Sequence, residues 1–465
     1  MRREVIFAAI LPMMVFLANG CATFDGLLER QADVDAFLAH VETRTAAVLD
    51  ENTVFNLDRC VAVALENNLD VKAADIEARL AKLQKRVAFA NFLPEITLDY
   101  NFMELNRAPT TQIFGSMSTT MQDRIVRETA VNAQMPIFAP ATWFLYAIHQ
   151  RGEEISEFVT DYTRQMIALQ VTGLYFQCLA TSEHQRILEA RLQAAKVLAR
   201  EVESYYNEGM VTEADLAQVT VLVMARENEL ERNARAGERC VAELLTAMGL
   251  LPTADIQLEA GQPIEPPEGG LEDWILEALL NNPRLAIEDR LVEIEKEKAR
   301  IAVSNFLPML AGFASRSHTS NSLMAYPYTT AFGFAGIMTL FNGFSNINEY
   351  RIARVETEKA FLRREQGSLA LMLEVVHAHT HLADARATLN LAEAAANAAK
   401  IELKEETAKM NEGLLRPSEM LNTVAQFDAA QINVVNARYQ REVMAAIARN
   451  VVGATYCGQK ETNNE

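Results

Sequence analysis

An internal duplication constrains the fold of this chain more than any other feature of its 465 residues. In the early part of each copy, matching motifs lie 214 residues apart (305 − 91): Asn67-Asn68 with Asn281-Asn282, and Asn91-Phe92-Leu93-Pro94 with Asn305-Phe306-Leu307-Pro308. Later motifs lie 203 or 204 residues apart (338 − 135 and 413 − 209): residues 135–138 with 338–341, Gly209 with Gly413, and Gly249 with Gly453. Ordered landmarks at nearly constant spacing indicate one structural unit that occurs twice.

Each copy begins with a helical pattern rich in Ala, Leu, Glu and Lys. We predict helices over residues 57–92 and 283–306, which end just before Pro94 and Pro308. The chain is long for a single compact core, so we expect separate domains or an extended shape.

After each proline the hydrophobic period changes to two. Ile96, Leu98, Tyr100 and Phe102 alternate with polar residues, which is typical of a strand with one apolar face. We predict a polar loop and then a second strand over about 125–135. The equivalent hairpin of the second copy is predicted over about 309–318 and 329–339.

A long helical hairpin follows each strand pair. Its heptad-like seam, spaced 4-3-4-3-4, is formed in the first copy by Leu188, Leu192, Ala195, Ala199, Val202 and Tyr206. The pattern stops at Gly209, which suits a turn, and resumes near Ala214. A helix over residues 140–207 would be on the order of 100 Å long, which is far more than a globular domain needs.

These strands and helices favour an assembly of several chains. Two hairpins give four amphipathic strands, and single-chain outer-membrane barrels begin at about eight. Three chains would supply twelve strands and close the sheet, with the long helices packed side by side beneath it. No stretch after the N-terminus has the length of a transmembrane helix, so any membrane crossing is expected to use strands.

The N-terminus has the features of a signal peptide. Arg2 and Arg3 precede an apolar run over residues 5–16, the size of a signal-peptide core, and small residues then lead to Cys21. This resembles the lipobox of bacterial lipoproteins, with lipid on Cys21, and the absence of Asp at the next position, Ala22, resembles lipoproteins sorted to the outer membrane. The alternative is an ordinary secreted protein with an incidental Cys. The predicted divisions are a signal peptide (1–20), a lipidated segment (21–56), the first repeat (57–250), a Pro- and Gly-rich linker (251–270), the second repeat (271–453) and a tail (454–465).

The duplicated order of helix, Asn-Phe-Leu-Pro, strand hairpin and coiled-coil hairpin resembles the outer-membrane efflux protein family, the TolC-like channels. The resemblance covers about residues 57–453. It implies a homotrimer with a β-barrel in the outer membrane and a long α-helical barrel in the periplasm. It further implies a passive exit duct for a tripartite efflux pump, in which a periplasmic adaptor and an inner-membrane transporter are the partners.

The resemblance also points to the helical tips as the place of closure and adaptor docking. The family has a glycine followed six residues later by Asp, and that place is held here by Asp215 after Gly209 and by Glu419 after Gly413. Glu419 is the candidate for an acidic ring, Asn422 for a neutral second layer, and Thr212 for a helix N-cap. Both carboxylates could instead only complement their helix N-termini, and both interpretations stay open.

Two further residue sets carry weaker predictions. Cys178 and Cys240 each lie 31 residues from Gly209 (209 − 178 and 240 − 209), so an antiparallel hairpin would place them level, either bonded or as two buried thiols. His377 and His381 share a helix face and are weak candidates for a metal site; a polar surface is the preferred interpretation, and no metal or other cofactor is predicted.

The net charge and the motif content restrict the classes of function that the chain could have. The net charge of −19 argues against nucleic-acid partners, and no catalytic motif is present, so we predict that the chain is not an enzyme. Two alternatives to the efflux duct stay open: a channel for type I protein secretion, and a periplasmic coiled-coil scaffold without a pore.

Overall fold

The computed structural model describes residues 26–51, 54–114, 117–412, 414 and 417–453. The signal peptide, Cys21, Gly413 and the C-terminal tail lie outside these ranges. The first half contains, in chain order, α1 (Gly26–Glu51), β1 (Val54–Phe55), α2 (Leu57–Asn67), α3 (Leu69–Ala90), β2 (Glu95–Glu104), β3 (Thr110–Phe114), β4 (Met117–Thr120), β5 (Ile125–Phe138), α4 (Pro140–Asn207) and α5 (Glu213–Ala247). The second half contains β6 (Gln257–Leu258), α6 (Leu271–Asn281), α7 (Pro283–Ser304), β7 (Met309–Thr319), β8 (Tyr328–Ile337), α8 (Ser345–Asn411) and α9 (Pro417–Val452).

The helix predicted over residues 57–92 is two helices, and the asparagine pair is the reason. The Asn68 side chain accepts hydrogen bonds from the backbone N–H of Asp70 (2.8 Å) and Val71 (3.3 Å), so it caps α3 as a new helix. Its amide nitrogen also donates to the carbonyl of Ala247 at 2.8 Å, which ties the break to the end of α5.

Asn282 repeats this arrangement in the second copy. Its side chain accepts from the N–H of Arg284 at 3.0 Å and donates to the carbonyl of Val451, near the end of α9, at 3.1 Å. The duplicated asparagines therefore join the start of each repeat to its end.

The four long strands form one antiparallel sheet in the order β2-β5-β7-β8. Glu95 pairs with Gln134 in the first hairpin, and Met309 pairs with Ile337 in the second. Adding 214 to the first residue and 203 to the second converts one pair into the other, so the two hairpins share a single register. β2 and β8 are the edges of this sheet.

Two details of the connections differ from the sequence-based prediction. The loop between β2 and β5 contains the small β3–β4 hairpin rather than being irregular throughout. The segment predicted as a linker contains β6, which pairs in parallel with β1 through Val54 with Gln257 and Phe55 with Leu258. Phe55 is completely buried, so this short pair belongs to the core.

The main hydrophobic core lies around the middle of α4 and α8, where α2, α6 and the ends of α5 and α9 meet them. Its largest fully buried side chains include Tyr175, Phe176, Leu244 and Met248. Each contributes roughly 1.5–3 kcal/mol by leaving water, so this region holds the helical hairpins together.

The long helices match the predicted dimensions. α4 has 68 residues and α8 has 67, so each is about 100 Å long at 1.5 Å per residue. None of the helices in the described ranges is both long enough and apolar enough to cross a bilayer.

Candidate gate at the helical tips

The first helical tip is a tight turn between α4 and α5. Gly209 has a φ of +74°, a left-handed conformation that favours glycine. The N–H of Gly209 donates to the carbonyl of Tyr206 at 3.0 Å, and the N–H of Met210 donates to that of Tyr205 at 2.9 Å. These bonds use carbonyls that the end of α4 would otherwise leave without partners.

Thr212 and Asp215 form a capping box at the start of α5. The N–H of Asp215 donates to Thr212 Oγ1 at 3.3 Å, and Asp215 Oδ2 accepts from the N–H of Thr212 at 3.0 Å and from its hydroxyl at 2.7 Å. The structure thus brings Gly209, Thr212 and Asp215 together as one turn, and it gives Asp215 a local structural role.

The second tip joins α8 to α9. The N–H of Leu414 donates to the carbonyl of Lys409 at 2.9 Å, which repeats the bond made by Met210 in the first tip. Glu419 lies in the first turn of α9, and its side chain is outside the described residues, as is Gly413. Asn422 is exposed one turn further on. The roles of Glu419 and Asn422 in a gate remain predictions.

Above the tips, a buried ionic cluster joins the two helical hairpins. Asp428 of α9 lies 3.1 Å from Arg191 Nε of α4 and 2.8 Å from an Arg226 guanidinium nitrogen of α5. The side chains of Arg191 and Asp428 are only 7% and 8% exposed. Glu229 adds a second partner for Arg226 at 2.7 Å.

Burial dominates the electrostatics of this cluster. Loss of solvent lowers the pKa of Arg191 and raises the pKa of Asp428, while the neighbouring guanidinium groups act on Asp428 in the opposite direction. A buried pair of this kind is strongly destabilised when only one partner is removed, because the other charge is left uncompensated.

Sequence reasoning missed this cluster because its members lie on three helices far apart in the chain. A comparison of the two copies of the repeat nevertheless marks two of its residues. At an offset of 204, Arg191 and Arg226 correspond to Ala395 and Ala430, so two charges of one copy are replaced by methyl groups in the other.

An open groove of about 620 Å³ extends from the cluster toward the tips, between α4, α5, α8 and α9. Its lining is largely apolar and includes Leu222, Leu403, Val424 and Phe427. The groove is open to solvent along the single chain, so on the tip side of the ionic cluster the two hairpins leave a largely apolar surface uncovered.

The remaining sequence candidates lie away from the tips. Cys178 and Cys240 face each other across α4 and α5 and form a disulfide, with a Cα–Cα distance of 5.5 Å. His377 and His381 are exposed, with ring centroids 6.0 Å apart. Among the residues that the structure describes, no group of three or more His, Cys, Asp or Glu side chains is arranged to hold a metal ion.

Comparison with known proteins assigns the chain to a family. The model of the family described as "Outer membrane efflux protein" matches residues 61–250 and 274–453. The chain belongs to the outer membrane efflux protein family. The resemblance drawn from the duplicated motifs is therefore confirmed, and a member of this family is a channel protein of the outer membrane rather than an enzyme.

One curated relative in the family is the pyoverdine export outer membrane protein OpmQ of Pseudomonas putida. It is 24% identical to the chain over 296 residues, which are 59% of this chain and 59% of OpmQ. The matched region therefore spans less than two thirds of that relative's length.

Solved structures of outer membrane channels share the fold. The outer membrane protein VceC of Vibrio cholerae superposes with a TM-score of 0.73 at 16% identity, covering 85% of this chain and 96% of VceC. The CmeC outer membrane channel of Campylobacter jejuni superposes with a TM-score of 0.74 at 17% identity, covering 86% of this chain and 85% of CmeC. The mostly α fold, with four barrel-type strands and long helical hairpins per chain, is confirmed.

Proposed function

We propose that three copies of this chain form a passive exit duct for a tripartite efflux pump. In this trimer the four-stranded sheets close into a twelve-stranded barrel in the outer membrane, and the helical hairpins form a tube in the periplasm. A periplasmic adaptor docks at the tips, and an inner-membrane transporter supplies the energy.

The outward-facing side chains of the edge strands support a position in lipid. On β2, Leu98 and Tyr100 are 71% and 61% exposed, and on β8, Phe332 and Phe334 are 85% and 75% exposed. Large apolar side chains at this density on a free sheet are typical of a surface that meets lipid or another protein.

The proposal depends chiefly on how the edge strand β8 of one chain would pair with the edge strand β2 of the next, which the repeat predicts. Within one chain, Asn132 of β5 pairs with Ser315 of β7. In the repeat, β8 corresponds to β5 and β7 corresponds to β2. Residue 132 of β5 therefore corresponds to residue 335 of β8 (132 + 203), and residue 315 of β7 corresponds to residue 101 of β2 (315 − 214). If neighbouring chains pair as the two hairpins of one chain do, Ala335 of one chain lies opposite Asn101 of the next; this is called the transferred register.

This transferred register keeps the apolar face continuous. It places Phe334 opposite Phe102 of the next chain, and both residues lie on the sheet face that carries Leu98 and Tyr100. A one-residue slip would put these side chains on opposite faces. A closed barrel needs one consistent outer face, and the transferred register provides it.

The efflux assignment is favoured over its two alternatives. A pore-free scaffold has no use for an amphipathic sheet with two open edges. Export by the relative OpmQ, whose name specifies pyoverdine, favours a small-molecule cargo over the proteins of type I secretion. The cargo would be selected by the transporter, because the duct itself is passive.

Cysteine cross-linking tests the trimer and its register. The double variant Ala335→Cys/Asn101→Cys should form covalent dimers and trimers on oxidation in outer membranes. The matched control Ala335→Cys/Phe102→Cys differs by one residue and points the second thiol to the other face, so it should cross-link poorly. Purified trimers should also conduct ions across planar bilayers. Monomers without conductance, or equal cross-linking of both variants, would refute the proposal.

A further inference from the structure

The apolar outward face of the four-stranded sheet is interrupted by positive charge toward the end that lies away from the helices. The register places Arg127 of β5 and Arg316 of β7 on this face, and both side chains are exposed. Between them, Thr129 of β5 pairs with His318 of β7. These four side chains are called the cationic patch.

The two arginines of the cationic patch have no carboxylate partner among the residues that the structure describes. Glu104, which lies on the same face of β2, is paired with Arg124 at 2.8 Å. The Arg127 guanidinium lies over the ring of Phe102, with its Cζ atom 5.8 Å from the ring centroid. A guanidinium group that stacks on a ring keeps its N–H donors at its edge, where an anion can accept them.

The height of the patch on the sheet matches a membrane surface. Arg127 lies ten residues before Ile137 on β5 (137 − 127), which is about 33 Å along the strand and about 25 Å across a membrane if the strand is tilted by about 40°. The apolar band of an outer-membrane barrel is also about 25 Å tall. Since β5 continues into the helices after Ile137, Arg127 marks the outer surface of the membrane.

The neighbours of the patch are typical of that surface. Tyr100 lies opposite Thr129, and Tyr328 packs its ring against His318 with 4.6 Å between the ring centroids. Both tyrosines are more than half exposed, as in the aromatic girdles where barrels meet the lipid headgroups. Arg316 starts deeper in the band, and a long arginine side chain there is stabilised by extending toward the headgroups.

The repeat shows that the patch occurs once in each chain. Arg127 corresponds to Thr330 of β8 (127 + 203), and Arg316 corresponds to Phe102 of β2 (316 − 214). The arginines are thus confined to the central strands β5 and β7, and the edge strands, which would pair with neighbouring chains, lack them. A trimer would carry three such patches, each within a single chain.

We propose that the cationic patch binds the phosphate groups of a phosphorylated glycolipid in the outer leaflet of the outer membrane. Each guanidinium takes a phosphate through paired N–H donors, and the acyl chains lie along the apolar side chains nearer the helices, such as Val131 and Phe332. The inference rests on the proposed barrel, because it requires the outward face to meet lipid.

The spacing of the arginines selects this ligand over smaller anions. Arg127 lies level with Ser320, four residues from Arg316 along β7 (320 − 316), which is on the order of 13 Å. Two cations at this separation fit a headgroup with two separated phosphates better than a single phosphate ion or the single phosphate of a phospholipid.

Lipid binding to purified trimers tests the patch. Wild-type trimers in detergent, incubated with diphosphorylated lipid A, should retain one molecule per chain in native mass spectrometry. Arg127→Gln/Arg316→Gln trimers should retain several-fold less, and Arg127→Lys/Arg316→Lys trimers, which keep both charges, should fall between the two. The matched control Arg107→Gln removes an arginine from the loop at the same end of the sheet and should bind as the wild type does.

Competition identifies the group that is recognised. Lipid A without its phosphates should bind several-fold more weakly, and neither inorganic phosphate nor phosphatidylglycerol should displace the diphosphorylated form. Equal retention by the wild type and by Arg127→Gln/Arg316→Gln, equal binding of the two forms of lipid A, or displacement by either competitor would overturn the lipid site. Trimers that conduct in planar bilayers despite such a result would leave the exit duct standing, whereas failure of Ala335→Cys/Asn101→Cys to link subunits would remove the barrel and this inference together.

Discussion

Asp215 and Glu419 hold corresponding positions in the two tips, and of these two side chains the structure describes only that of Asp215. Asp215 closes a capping box with Thr212, which stabilises the start of α5. Arg416 stands in the second tip where Thr212 stands in the first, so a threonine cap of this kind is absent from the sequence there. A carboxylate at residue 419 is therefore the better candidate for a charge that faces the pore.

The two carboxylates should respond differently to neutralisation. Asp215→Asn should cost about 1 kcal/mol of local helix stability, because it weakens a cap, and should leave ion preference unchanged. Glu419→Gln should lower the preference for cations, because a trimer would lose three negative charges at its narrow end. Reversal potentials in planar bilayers under a salt gradient measure this preference. A cation preference that is unchanged in Glu419→Gln trimers would remove Glu419 from the gate.

Among the elements, α4 and α5 are linked covalently as well as by packing. Cys178 and Cys240 are both buried, and their disulfide closes a loop with a sequence separation of 62 residues. A cross-link over such a loop contributes about 2–4 kcal/mol, chiefly by restricting the unfolded chain. The tip hairpin is thereby fixed at the level of the main core.

The double variant Cys178→Ser/Cys240→Ser should lower the thermal unfolding midpoint by several degrees, and reduction of the native protein should do the same. Titration of the denatured mature protein with a thiol reagent, before and after reduction, measures the number of free cysteine thiols. Cys178 and Cys240 are bonded, so reduction should raise the number of titratable thiols by two, and one cysteine, Cys21, is predicted to carry lipid. Four free thiols without reduction would contradict the disulfide.

The order and extent of the helices and strands could largely be predicted from the sequence. The period of the hydrophobic residues indicates the type of element, and prolines mark where helices end, and both are local properties of the chain. The strand predicted over about 125–135 begins at Ile125 as expected, and the helix predicted over 140–207 has these limits. The break at Asn68 could not be predicted from helical periodicity, since it depends on a hydrogen bond to Ala247 at the end of α5. Arg191 and Asp428 are 237 residues apart in the sequence, so their contact could not be predicted from local sequence patterns.

For the whole molecule, the duplication makes the proposed trimer a pseudo-sixfold tube, in which contacts between the two hairpins of one chain alternate with contacts between hairpins of neighbouring chains. Separating the hairpins of one chain would leave Arg191 and Arg226 without Asp428 in a buried setting, which is costly. At the corresponding contact between chains the repeat has Ala395, Ala430 and Met224 in place of these three charges, so a shift there breaks no such ion pair. Opening of the tips is therefore expected to follow the boundaries between subunits.

Attachment to the membrane is also a property of the whole molecule, because the lipid predicted on Cys21 and the four-stranded sheet would act together. Cys21→Ser should abolish incorporation of a radiolabelled fatty acid, whereas Cys60→Ala, a change at a buried thiol, should keep it. The unlipidated variant should still sediment with outer membranes, because twelve closed strands hold a trimer there without a lipid chain. Label that persists in Cys21→Ser would refute the anchor, and release of unlabelled protein into the periplasm would show that the sheet alone does not hold the trimer in the membrane.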